Sequence, residues 1–237
     1  MLNNFKFTEN LQLMKKTLFA SLIALNITFL AFSQEEYHDQ DPKAKVILEE
    51  LTNKTKEYST IYAEFDYKME NKQDGIDETQ AGKITLKGKE KYKVDIAGQQ
   101  VICDGKTIWT YIKDADEVQI NAVEDFEDEE DNLMNPSNIF TIYEKGFKYK
   151  LVSENTENGK EKAVINLYPM KPAEKPYHTI TITVNKTDGY LEKAVIKSKD
   201  GNVYTYTLKK FEPNKPIPDS DFTFDVSKAG DVIDLRE

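Results

Sequence analysis

The sequence predicts an α+β domain, mainly β, built on one antiparallel sheet with helices packed on one side. Three observations predict it. Apolar and polar residues alternate through many short segments, as in half-buried strands. Asp-Gly and Asn-Gly pairs separate those segments and admit the positive φ of tight hairpins. No strand–helix–strand alternation occurs, so a parallel sheet is not expected.

The chain has 237 residues, and residues 1–33 read as a signal peptide. Lys15-Lys16 precede an apolar run, Leu18 to Phe32, and the small residues Ala31 and Ser33 stand before Gln34. That is the three-part layout of an export signal, and the run falls short of the roughly 20 residues of a membrane span. Residues 1–13 lie ahead of the usual start of such a peptide, as an upstream extension or a misassigned start. Residues 34–237 then form a single domain. Cys103 is the one cysteine, so no intrachain disulfide can form. Export without disulfides points to a bacterial periplasm.

The formal charge is −10, and residues 1–33 hold three lysines and one glutamate, which leaves −12 on the remainder. Such a surface repels nucleic acid and anionic headgroups.

The first element is a helix. Asp41 can cap it, Pro42 suits its first position, and Ala44, Leu48, Leu51, Thr55 and Tyr58 recur on one face. After Ser59 the period changes to two. Ile61, Ala63, Phe65, Tyr67 and Met69 alternate with mostly charged positions. Ile84 and Leu86, then Tyr92, Val94 and Ile96, continue the pattern. Val101–Cys103 and Thr107–Ile112 are apolar on both faces, which predicts a more deeply covered hairpin. Further strands are expected at Val118–Ala122, Phe147–Val152, Ala163–Tyr168, Thr179–Val184, Leu191–Ser198 and Val203–Phe211. That makes about 11 strands, a large sheet that should curl. A second helix is expected from Asn135-Pro136 to Gly146, with Ile139, Phe140 and Tyr143 facing inward.

Catalytic chemistry is not legible. The two histidines, His38 and His178, have no second metal-ligand type at ligand spacing. No Gly-x-Ser-x-Gly elbow and no glycine-rich phosphate loop occur. Cys103 reads as a buried strand thiol. The acidic run Glu124–Asp131 lacks the glycine and terminal glutamate of an EF-hand loop and reads as a solvated loop. The sequence predicts a binding protein rather than an enzyme, with no cofactor and no metal.

The segment Val101-Ile102-Cys103-Asp104-Gly105-Lys106-Thr107-Ile108-Trp109-Thr110-Tyr111 resembles the hairpin of the LolA family, carriers of outer-membrane lipoproteins. There an Asp-Gly-Lys-Thr turn leads into an apolar-Trp-x-Tyr strand. Tyr62-Ala63-Glu64-Phe65 resembles the family's first strand and Gly82-Lys83-Ile84-Thr85-Leu86-Lys87 its second. Ile182-Thr183-Val184 through Asp188-Gly189, and Phe222-Thr223-Phe224, resemble its last strands. The resemblance implies an unclosed antiparallel β-barrel with a helical lid over an apolar cavity. It also implies a carrier that takes acylated lipoproteins from an inner-membrane ABC transporter of the LolCDE type to the outer membrane, in some members through a receptor there, and that works as a monomer. One departure stands out. Well-known members carry Lys-Arg-Pro where this chain has Lys87-Gly88-Lys89, so the arginine that helps latch the lid is absent.

On these grounds the expected acyl-chain lining is Phe65, Tyr67, Ile84, Leu86, Tyr92, Val94, Ile96 and Trp109. Leu48, Leu51, Ile139 and Phe140 are expected on the lid. Glutamate at Phe65 or Ile84 should abolish carriage while sparing the fold. A sensor or carrier of another lipid on the same scaffold, or a solid-cored structural or interaction module, are the alternative readings.

Overall fold

The computed structural model describes residues 40–126, 143–144 and 146–236. The expected signal peptide, His38, most of the acidic run and the expected lid residues Ile139 and Phe140 lie outside the described residues.

Helix α1 spans Pro42–Lys56 and begins as its sequence requires. The Asp41 carboxylate accepts hydrogen bonds from the backbone N–H of Lys43 at 2.9 Å and of Ala44 at 3.3 Å. These satisfy donors that a helix start leaves free. Ala44, Ile47, Leu48 and Leu51 form its buried stripe. The strands follow in order: β1 (Thr60–Asn71), β2 (Ile76–Lys87), β3 (Lys91–Ile96), β4 (Gln99–Asp104), β5 (Thr107–Ile112), β6 (Glu117–Ala122), β7 (Phe147–Glu157), β8 (Lys160–Pro169), β9 (Tyr177–Asn185), β10 (Tyr190–Ser198), β11 (Val203–Pro213) and β12 (Asp231–Asp234).

All twelve join one open sheet in the order β12-β6-β5-β4-β3-β2-β1-β11-β10-β9-β8-β7. Two antiparallel meanders, β1–β6 and β7–β11, meet where β1 pairs with β11. Tight turns set the registers. Between β7 and β8, Asn158 and Gly159 both take positive φ, 52° and 76°, as a two-residue hairpin turn demands. Register shifts at Glu64/Phe65, Leu151/Ser153, Leu191/Lys193 and Lys197/Ser198 mark bulges. Bulges increase local twist and bend a sheet. The fold is therefore an unclosed half-barrel with α1 as a lid element, as expected.

Three details differ from the sequence expectation. First, β2 starts at Ile76, well before the expected Lys83, because Asp77, Glu78 and Thr79 are exposed and carry no alternation to read. Second, Phe222-Thr223-Phe224 is not a strand. Asp219–Phe222 is a 3₁₀ turn, and the last strand is β12. Third, β12 pairs with β6 in parallel. Parallel pairing needs a long crossover, and residues 214–230 supply it.

That crossover is a strap over the sheet face opposite α1. Its start is tied by Asn214, whose N–H donates to the Thr60 carbonyl at 2.8 Å. Lys87 Nζ donates to the Ile217 carbonyl at 2.7 Å, and Lys87 and Lys91 both grip the Asp219 carboxylate, Lys91 at 2.8 Å. Phe222 is completely buried where the 3₁₀ turn crosses β3 and β4. Phe224 packs on Tyr111 with ring centroids 5.1 Å apart. The strap explains why the β4–β5 hairpin is apolar on both faces: one face belongs to the α1 side and the other lies on the strap side.

The strap also makes acid sensitivity predictable. Hydrogen bonds from Lys87 and then Lys91 hold the Asp219 carboxyl down at about 2, against an ordinary 3.8. A folded-state pKa below the unfolded one stabilises above the unfolded value, and that contribution is lost as pH falls through the folded value. Asp219→Asn should therefore remove the part of the acid destabilisation that lies between pH 3.8 and about 2. Urea midpoints measured across that window test it, and identical slopes for both proteins would overturn it.

Candidate functional site

The two faces of the sheet differ in chemistry. Register places Ile61, Ala63, Phe65, Tyr67 and Met69 of β1 opposite Leu86, Ile84, Gly82, Gln80 and Glu78 of β2. The same row continues to Tyr92, Val94 and Ile96 of β3. Across these three strands the α1-bearing face carries one charged residue, Glu78, next to the β1–β2 turn and exposed. The opposite face carries Glu64, Asp66 and Lys68, with Asp66 paired to Lys209 at 2.8 Å. Water solvates that face along β1, away from the strap, while the α1-bearing face presents apolar side chains that favour an apolar cover.

α1 covers one part of it. The helix packs against β7 and β10. Its buried stripe shares a single apolar cluster with Ile165 and Leu167 of β8, Ile180 and Ile182 of β9, and Phe65, Ile84 and Val94. Tyr67, Leu86, Tyr92 and Ile96 are only half-buried, packed against that cluster from the β1–β3 side. The named side chains of β8 and β9 are fully buried, whereas β1–β3 presents buried and half-buried side chains together.

Asp41 fastens the lid element. Besides capping α1, it accepts the Leu151 N–H at 3.1 Å, and its own N–H donates to the Tyr149 carbonyl at 3.1 Å. Partial burial of this carboxyl acts to raise its pKa, but the backbone donors of Leu151, Ala44 and Lys43 outweigh it and hold the group below the ordinary range. At the other end of α1, Tyr58 OH donates to the Gly189 carbonyl at 3.4 Å. Gly88, the position of the Lys87-Gly88-Lys89 departure, has φ +62° and open space around it. A left-handed turn residue suits glycine, and this turn is bonded back to the Ser59 carbonyl at 3.1 Å.

The structure thus gathers Phe65, Tyr67, Ile84, Leu86, Tyr92, Val94 and Ile96 on one face, with Leu48 and Leu51 of α1 in the same cluster. Trp109 is a correction. It pairs with Ile102 and Ile120, and this row lies on the opposite face, the one the strap crosses. Ile102, Val118 and Ile120 are buried there. Phe65 and Ile84 are also more deeply placed than expected, at 3% and 1% exposed. Glutamate at either would strike the fold before any function. The Phe65 ring lies so close over Gly82 that a Cβ there would come within 2.5 Å of it.

Other members of the face were missed. Ile47 belongs to the helix stripe, and Tyr204, Tyr206 and Leu208 of β11 extend the β1 row. Their alternation was visible in the sequence, but only the tertiary pairing of β1 with β11 shows that they continue the Phe65–Tyr67 row. Burial of Tyr206, and more weakly its neighbours Tyr67 and Tyr204, raise its pKa. Burial likewise raises that of Tyr67. Both phenols are hydrogen-bond donors at neutral pH.

Comparison with known proteins places the chain in a family. The family model described as "Outer membrane lipoprotein carrier protein LolA" matches residues 56–225. A protein of Histophilus somni (strain 2336) named "Outer-membrane lipoprotein carrier protein" is 26% identical over 196 residues, covering 79% of this chain and 87% of its own. Among solved structures, an uncharacterized conserved protein from Thermus thermophilus superposes with a TM-score of 0.50 at 10% identity, over 82% of this chain and 99% of its own. A LolA superfamily protein from Nitrosomonas europaea superposes with a TM-score of 0.42 at 14% identity, over 76% and 97%.

Proposed function

Because this chain belongs to the LolA family of outer membrane lipoprotein carrier proteins, we propose that its α1-bearing sheet face shelters the acyl chains of lipoproteins during their passage from the inner to the outer membrane. The observation that carries the reading is the charge contrast between the faces: an open sheet with an apolar, half-covered face over β1–β3 and a solvated, ion-paired face behind it. Each methylene transferred from water to such a surface gains about 0.8 kcal/mol, so one sixteen-carbon chain gains about 12 kcal/mol. A multiply acylated anchor cannot cross an aqueous space unsheltered. An apolar lining also holds chains without directional bonds, so a partner membrane can withdraw them.

In this reading the protein works as a monomer in the periplasm, needs no cofactor, and catalyses no reaction. Its partners are acylated lipoproteins, an inner-membrane ABC transporter of the LolCDE type that loads it, and an outer-membrane receptor or the outer membrane itself. The half-buried Tyr67, Leu86, Tyr92 and Ile96 form the contact surface of this lining, Phe65, Ile84 and Val94 back it from the core, and Leu48 and Leu51 belong to the lid.

Native mass spectrometry of protein purified without detergent tests the reading. The expected result is a population carrying the mass of an acylated polypeptide, which disappears after incubation with outer-membrane vesicles. A bound lipid without a polypeptide would replace lipoproteins by another lipid as the cargo. Protein that is bare in every preparation, and that extracts no lipoprotein from transporter-containing membranes, would overturn the reading.

A further inference from the structure

We propose that Gln80 and the hydroxyls of Tyr67, Tyr204 and Tyr206 form a polar subsite on the α1-bearing face that binds the amide-linked head of an N-acylated ligand. The proposal rests on the acyl-binding reading above and specifies where along the face the head of the ligand sits.

The four residues are neighbours by register. Tyr67 stands between Gln80 of β2 and Tyr206 of β11, and Tyr204 faces Met69 one step further along the same row. The Tyr67 ring stacks on Tyr204 at 6.2 Å and leans on Tyr206 at 5.1 Å. Phe65, 6.1 Å from Tyr206, closes the cluster on its apolar side. Three phenols from two adjacent strands thus meet near the β1–β2 and β10–β11 turns, at the end of the face away from Tyr58 and the C-terminus of α1.

Packing alone does not explain them. Tyr206 is 6% exposed, a depth at which phenylalanine would bury the same ring without a hydroxyl to desolvate. Gln80 Oε1 is buried and accepts no hydrogen bond from the described residues. Buried carbonyl oxygens are nearly always paired in folded proteins, and one that is not calls for an explanation. On this face its cross-strand neighbour is Tyr67, and along β2 it stands between Gly82 and the exposed Glu78.

The donor and acceptor set defines the ligand class. Phenol hydroxyls donate to an acyl carbonyl, and the Gln80 carbonyl accepts an N–H. A chain joined through an amide offers both groups side by side. A chain joined through an ester offers only the carbonyl and leaves Gln80 unpaired. N-acylated amino acids and peptides, and simple N-acyl amides, share the required chemistry.

Displacement of a fluorescent fatty acid from the purified protein tests the proposal with three probes of equal chain length: an N-palmitoyl dipeptide, N-palmitoyl ethanolamine and methyl palmitate. Both amides should bind about tenfold more tightly than the ester, the size of one buried hydrogen bond. Gln80→Met should erase that preference, and Tyr67→Phe should weaken it, while Tyr62→Phe on the opposite face should leave it intact. A dipeptide bound more tightly than the ethanolamide supports the subsite in its peptide-reading form, and equal binding supports it in the simple amide form. Equal affinity for amides and ester, or a preference that survives Gln80→Met, overturns the subsite and leaves the acyl-binding face standing. Failure of all three probes to displace overturns the acyl-binding reading and the subsite with it.

Discussion

Phe222→Ala is expected to destabilise the protein by about 3–5 kcal/mol, the usual cost of deleting a completely buried aromatic side chain. Phe222 is the anchor of the strap. Upstream of it, the Asp219 carboxylate is held by Lys87 and Lys91 on the surface. Downstream, the backbone N–H groups of Gly230 and Asp231 both donate to the Asp116 carbonyl, at 2.9 and 3.1 Å, and lead into β12. Exposed ion pairs contribute little individually, so the buried ring is the largest apolar anchor of the strap. Urea unfolding gives the measurement. A midpoint shift without a change of slope would show a strap that unfolds with the rest of the sheet. A loss below about 1 kcal/mol would mean that the strap and β12 are peripheral to stability.

Leu86→Glu should reduce affinity for acylated ligands at least tenfold while leaving the fold intact. Leu86 stands between Ile61 and Tyr92 on the α1-bearing face and is half-buried. The introduced carboxylate would keep contact with water in the free protein. An arriving acyl chain would have to strip that water, and burying an unpaired carboxylate costs several kcal/mol unless it takes up a proton. The sign of the pH effect follows. The bound complex would raise the glutamate pKa, so affinity should recover as pH falls and the group protonates. Titration of a fluorescent fatty acid at two pH values reads both effects. Unchanged affinity at neutral pH would remove β2 from the binding surface. The same test at Phe65 or Ile84 is uninformative, because those side chains lie within the core and a charge there would unfold the protein.

Much of the architecture was legible in the chain alone. Asp41-Pro42 marked the helix start, and Asp41 does cap α1. The Asn158-Gly159 pair marked a hairpin turn, and the chain reverses there. Alternation located eleven of the twelve strands. β12 escaped because Asp231–Asp234 is short, exposed throughout and bounded by acids, so it carries no pattern of burial. The early half of β2 escaped for the same reason. The candidate binding face was half legible. Alternation sorted the side chains of each strand into two sets, and the sets from β1, β2 and β3 did prove to be one surface.

The chain's local pattern is enough to establish the class of the fold, the order of its elements, and which side chains share a face within each strand. Local geometry decides these, through the two-residue period of a strand and the φ demands of a turn. Tertiary structure alone decided which set from each strand faces α1. Trp109 shows the limit. Its strand is apolar on both sides, so its period of two carries no direction, and the strap lies over the face it belongs to. Tyr204 and Tyr206 show the converse. They lie far from Tyr67 along the chain, and only the pairing of β11 with β1 brings the three rings together. The unclosed antiparallel sheet could be read from the chain. Which of its faces is left partly uncovered depends on where the helix and the strap come to rest.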